Sequence, residues 1–118
     1  MCSSDLGASG LLQDSANLLY SGTDLTVYGI TVGRGAGAVS SNTAVGASAL
    51  VGNTTGARNT AIGNSTLSTH TTATDNTGIG YGALNALQSG ASFNTAVGSY
   101  SLVNQTTGVS NTDRKSHV

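Results

Sequence analysis

The chain has no proline, tryptophan or glutamate, a single cysteine, and only 8% charged and 4% aromatic residues among its 118. With a net charge of −1 it offers no basic surface to hold nucleic acid or an anionic membrane. No apolar run approaches the roughly 20 residues of a membrane-spanning helix, so membrane insertion is not expected, and no signal peptide is recognisable. Without glutamate, a general acid/base pair between residues 7 and 112 would have to come from Asp14, Asp24 and Asp75, two of which lie outside the repeated segment at 41–112. Cys2 is the only thiol and says nothing about redox compartment. What is abundant is glycine and threonine, 17 of each, a composition that suits turns and β-structure and opposes a helical bundle. The length fits one domain or a piece of one.

Against this plain background one pentapeptide recurs. "NTAVG" stands at Asn42 and again at Asn94, with "NTAIG" at Asn59, "NTGIG" at Asn76 and a fifth beginning at Asn111-Thr112. The asparagines are separated by 17, 17, 18 and 17 residues. Val45, Ile62, Ile79 and Val97 recur three residues after each Asn, and Leu50, Leu67, Leu84 and Leu102 recur eight after it. Fourteen residues after Asn come Gly56, Gly90 and Gly108, with Ala73 as the exception.

The two ends read differently. "CSSDL" at 2–6 can be encoded by TGC TCT TCC GAT CT, and the reverse complement of that string encodes "DRKS", found at 113–116. Both ends are therefore expected to be one sequencing-library adapter translated in from either side, with the fifth copy cut short by it. Residues 1–6 and 113–118 are expected to lie outside the fold.

A fixed period with repeated apolar positions is the mark of stacked coils. The expected architecture is all-β: a parallel β-solenoid, or β-roll, of about four 17-residue coils over residues 41–112, starting at Asn42, Asn59, Asn76 and Asn94, with a truncated fifth at Asn111. Each coil reads as two short strands, such as Thr43-Ala44-Val45 and Ala49-Leu50-Val51, divided by Gly46 and followed by a turn at "GNTTG". Stacked in register, the Val/Ile and Leu positions would form continuous buried ladders, and the Asn amides would bond their copies above and below. Arg58 and Asp75 share a register and would lie one coil apart as an exposed ion pair. Residues 7–40 read as a short β-segment capping the first coil, with "LTVYGITVG" at 25–33 alternating as a strand after a turn at "YSGTD". The apolar content per coil is low, so partner chains are expected, approaching over the small residues Ala44, Ala61, Gly78 and Ala96.

The run "GITVGRGAGAVSSNTAVGASAL" at 29–50, followed by "NTTGARNTAIG", resembles the repetitive shafts of bacteriophage tail fibres. These in turn are similar to the β-roll head domains of trimeric autotransporter adhesins, whose "AIG" coils are shorter than 17 residues. The resemblance covers residues 25–112. It implies a homotrimer with one roll per chain, in the virion tail fibre or alternatively on a bacterial cell surface. Its role would be a structural shaft supporting host attachment, with any host-surface receptor contacted through regions beyond this stretch.

No reactive constellation competes with that reading. "GRGAG" at 33–37 lacks the third glycine of a dinucleotide fingerprint and the Lys-Ser/Thr of a P-loop, and reads as a tight turn. His70 in "THTTATD" reads as a solvated loop residue, there is no G-x-S-x-G elbow, and no ligand spacing supports a metal. Neither enzymatic activity nor a cofactor is expected. Asn53, Asn64 and Asn104 begin formal N-x-S/T sequons that matter only in a eukaryotic secretory pathway. The alternative is a free β-solenoid with a binding surface. Thr43, Thr60, Thr77, Thr95 and Thr112 form a file of the kind that orders water in ice-binding solenoids, though a second adjacent file is expected there. Tyr81, Phe93 and Tyr100 are the only rings available to a carbohydrate, and they occupy different registers.

Overall fold

Each copy of the pentapeptide forms one short strand, and the strands stack in the order in which the chain writes them. A computed structural model describes residues 18–86, 90–104 and 108–115. Strands β1 (Leu18–Tyr20), β2 (Leu25–Val27) and β3 (Ile30–Gly33) precede β4 (Thr43–Gly46), β5 (Thr60–Ile62), β6 (Thr77–Ile79), β7 (Thr95–Val97) and β8 (Thr112–Arg114). All lie in one sheet in sequence order. The first four pair antiparallel. From β4 to β8 the pairing is parallel and joins equivalent residues, so that Thr43 faces Thr60, Thr60 faces Thr77, Thr77 faces Thr95 and Thr95 faces Thr112. Parallel neighbours connected by turns alone are successive windings, and the chain is an all-β solenoid of about four turns.

Only one of the two strands expected in each coil exists. The Ala49-Leu50-Val51 segment and its copies are turns, because Leu50, Leu67, Leu84 and Leu102 adopt left-handed φ values of 54, 51, 53 and 47°. A coil this short has to reverse direction within a few residues, and left-handed corners do this where an extended segment cannot. Turn-to-turn hydrogen bonds take over from the ladder: Leu50 N–H donates to Thr66 O at 3.1 Å, Leu67 N–H to Ala83 O at 3.1 Å and Leu84 N–H to Ser101 O at 3.0 Å. A left-handed non-glycine residue costs about 1–2 kcal/mol. Full burial of Leu50, Leu67 and Leu84 offsets that cost.

The strand parity is also the reverse of the expectation. Ala44, Ala61, Gly78 and Ala96 point inward and are buried, while Ile62, Ile79 and Val97 point outward and are 39%, 38% and 37% exposed. The small-residue file is therefore interior and offers no approach to another chain. The reason is alternation anchored by Asn: with the amide inside, the second residue after it is inside and the third is outside. The interior is tightest at Gly78, where an added Cβ would lie 2.7 Å from Thr66 Cγ2.

Three boundaries shift as well. "LTVYGITVG" is not one strand but a hairpin, because Tyr28 and Gly29 both have positive φ (49 and 81°), the requirement of a two-residue type I′ turn. Stacking begins before Asn42, where Ala36 N–H donates to Leu50 O at 3.2 Å and Ser41 Oγ accepts from Arg58 N–H at 3.1 Å. At the other end Asp113 and Arg114, expected outside the fold, extend β8 opposite Ala96 and Val97. Main-chain pairing carries the ladder through them, and Asp113 Oδ2 accepts from Leu102 N–H at 3.1 Å. Residues 1–6 and Asp14 lie outside the described residues.

Candidate functional site: the stacked files

Every position of the pentapeptide has a separate physical task. Asn is the internal strut. Asn42 Oδ1 accepts from Asn59 N–H at 2.9 Å, and the same bond recurs from Asn59 to Asn76, Asn76 to Asn94 and Asn94 to Asn111, each at 3.0 Å. The amide nitrogens close each coil across its width, donating to Gly56 O, Ala73 O, Ala91 O and Gly108 O at 2.8–3.0 Å. Side-chain amides also bond one another, from Asn94 Nδ2 to Asn76 Oδ1 at 3.1 Å and from Asn111 Nδ2 to Asn94 Oδ1 at 3.0 Å. Buried polar groups are tolerated when satisfied, and this ladder satisfies them with the backbone of the next winding.

The same bonds correct one register. In the 18-residue coil the acceptor is Ala91, not Gly90, so the additional residue is absorbed between Leu84 and Ala91. Leu84 keeps its place below Ser101, and the widened turn leaves the strand register untouched.

The closing glycine of the motif is required twice over. Gly46, Gly63, Gly80 and Gly98 have φ of 140, 131, 130 and 119°. A Cβ at the first three would lie 2.4, 2.5 and 2.6 Å from the carbonyl oxygen of the next glycine in the file. No side chain fits there without prising the windings apart.

Between Asn42 and Asn111 the one arginine and the one aspartate meet at one corner. Arg58 Nε and Nη2 grip Asp75 Oδ1 and Oδ2 at 2.6 and 2.7 Å across one winding. The Arg58 hydrogen bond holds the Asp75 carboxyl below its ordinary value and raises the Arg58 guanidinium above its own. His70 makes no bond to Asp75, since its Nδ1 meets Leu67 O and its Nε2 has no protein partner, so the two form no dyad.

His70 itself is not a solvated loop residue. It is fully buried in the register of Asn53, and its Nδ1 lies 2.7 Å from Leu67 O, which makes Nδ1 the protonated nitrogen. Burial pushes the imidazole below its ordinary value of 6.5. Its Nε2 and the Oδ1 of Asn53 are buried without a protein partner. Asn53 is itself shut away from solvent, which removes the first sequon.

The "GRGAG" segment is a turn over the first coil. A Cβ at Gly35 would lie 2.5 Å from Leu50 Cβ, and one at Gly37 2.4 Å from Thr54 O, so its glycines serve close backbone approach. Two of the three rings do meet, against expectation: Tyr81 and Tyr100 make an edge-to-face contact with centroids 5.1 Å apart. Gly82 makes it possible by leaving the space against which the Tyr100 ring lies. Phe93 stands exposed at a separate corner. No cluster of His, Cys, Asp and Glu among the described residues could hold a metal ion, and no helix among them is long and apolar enough to cross a membrane.

The outward face of β4–β8 is what the sequence reading missed. Thr43, Thr60, Thr77, Thr95 and Thr112 form one outer file, and Val45, Ile62, Ile79 and Val97 a second, two residues along. The signal was present in the alternation, but the choice of inner and outer set depended on where Asn pointed. Compared with known proteins, the chain matches no family model, no curated protein and no solved structure.

Proposed function

We propose that the chain is a rigid spacer: a shaft segment of a bacteriophage tail fibre or trimeric adhesin, assembled as a homotrimer and supporting host attachment. The observation that carries this reading is the uninterrupted Asn-to-backbone ladder from Asn42 to Asn111. It ties every winding to the next and gives a stack that extends by about 4.8 Å per coil. The antiparallel strands β1–β3 cover the open edge of β4 and so cap the solenoid at that end. The repeat motif supports the same reading by its resemblance to phage fibre shafts.

The test is the solution mass of the chain by light scattering, with a far-UV spectrum of the same sample. A β-rich trimer is expected. A folded monomer would sink the shaft reading.

One observation favours a second reading, a free solenoid that orders water. The missing second file beside the threonines exists, and it is built from Val and Ile, which share the branched shape of Thr. Among the described residues the hydroxyls of Thr43, Thr60, Thr77 and Thr95 have no protein partner, whereas those of Thr54, Thr66 and Thr74 are bonded within the chain. Thermal hysteresis from a monomer would establish this reading, and its absence would remove it.

A further inference from the structure

Strand registers place six large apolar side chains in one straight outward line. Leu25 faces Val32, Val32 faces Val45, Val45 faces Ile62, Ile62 faces Ile79 and Ile79 faces Val97. Directly paired residues share a face of the sheet, so the line crosses from the meander into the solenoid without a break. It is five strand spacings long, about 24 Å. Five of its members, Leu25, Val32, Ile62, Ile79 and Val97, are more than a third exposed, at 37–45%.

A sheet face turned to water ordinarily carries polar and charged residues, and its edges carry lysine. This one does not. From β4 to β7 the outward positions are Thr, Val and Ile only, and the charged pair Arg58–Asp75 sits at a corner of the coil. The winding thus directs its Ala and Gly inward and its β-branched apolar residues outward, an arrangement that makes sense if something apolar lies against the outside.

We infer that this file is the surface along which copies of the chain join, three files converging on an axis parallel to the stack. The inference rests on the trimeric shaft reading and names the face that reading requires. Charge, period and width select the occupant. From Leu25 to Val97 the strip carries no charge, the next member of the file being Arg114 at its far end on β8, and an uncharged strip matches a partner strip that is also uncharged. Its knobs recur at the strand spacing, and another copy of the chain has the same spacing, so each added coil brings one more set of Val/Ile side chains into contact. The strip is one large residue wide, well short of the roughly 800 Å² per partner of a standard two-body interface. Two strips laid flat together would bind weakly. Three strips meeting at an axis cover each file on both flanks, and the threonine files form the rim.

The experiment uses the full chain carrying Cys2→Ser, with Ile79→Cys on the file or Val51→Cys on a different exposed corner. Each variant is oxidised and run on non-reducing gels, and the masses of the parent and of a double Ile62→Asp, Ile79→Asp variant are measured by light scattering. The expected result is a parent of three chains, disulfide dimers from Ile79→Cys but not from Val51→Cys, and a single-chain mass for the double variant. A three-chain parent that cross-links through Val51→Cys and not through Ile79→Cys would overturn this face while leaving the trimer standing. A single-chain parent would overturn both. The cross-linking arm decides the matter if the double variant fails to fold.

Discussion

The meander and the coils share one sheet but not one kind of stability. From Ser21 to Arg34 no residue is buried, although this segment has the strongest β-propensity in the chain. From Asn42 to Ser101 each winding buries an Asn and an Ala or Gly, and the first three also bury a Leu. The difference is topological. A hairpin strand has a neighbour beside it and nothing behind it, whereas a coil returns its chain behind its own strand. Propensity and alternation made strands in both places, but only the return path made a core.

The comparison breaks most sharply at glycine. Gly63→Ala puts a Cβ 2.5 Å from the Gly80 carbonyl oxygen at a φ of 131°, whereas Gly29→Ala in the meander turn meets nothing within 4 Å at a φ of 81°. The coil variant should lose about 3–5 kcal/mol, the range of severe local disruption. The turn variant should lose only the left-handed penalty of about 1–2 kcal/mol. Urea midpoints measure both, and equal shifts would show that the windings can part at little cost.

Next comes the core itself. Leu67→Ala should cost about 3–5 kcal/mol, because the emptied volume is walled by neighbouring windings that cannot collapse into it. An exposed meander change, Ile30→Thr, should stay within about 0.5 kcal/mol. A comparable loss at Ile30 in dilute, single-chain samples would mean that the meander is buried against something within its own chain.

Asn59→Ala should follow, leaving Asn76 N–H and Ala73 C=O without their partners. Each orphaned group costs about 1–3 kcal/mol. Hydrogen exchange should report the damage at Asn76 N–H and its neighbours above those in the meander. Uniform loss of protection across the whole chain would instead mark the stack as one cooperative unit.

The smallest effects are electrostatic, and they come in two acid steps. His70 has a folded pKa below its unfolded value, so its contribution is complete above pH 6.5 and is lost as pH falls from there toward the folded value. His70→Asn, which copies Asn53 in the same register, should remove this step. Asp75 is also depressed, by Arg58, so its contribution is present above the ordinary carboxylate range and disappears only as pH falls through the lower folded value. Arg58→Gln should abolish that second step and leave the midpoint at neutral pH and high salt unchanged. A single acid transition common to all three proteins would contradict the assignment.

Much of this was legible in the residues. Period, the pentapeptide strand of each coil, stacking Asn and buried Leu follow from repeated spacing, since equivalent residues of equal coils have to superpose. The Arg58–Asp75 pair was legible for the same reason. His70 was not, because a lone His among threonines carries no sign that its register sits inside the coil. The Tyr81–Tyr100 contact was hidden because the rings stand one register apart, and only Gly82 brings them together.

By itself the sequence determined that equal segments stack, how many there are, and which residues form files. Tertiary structure alone decided which files face inward, that Leu corners are left-handed turns, and that the Val/Ile line continues onto the meander. Periodicity specifies neighbours along the stack, but inside and outside exist only once the chain has closed a coil around a volume. That volume admits an amide, a methyl group and a leucine at their registers, and leaves the β-branched Val and Ile on the outer surface.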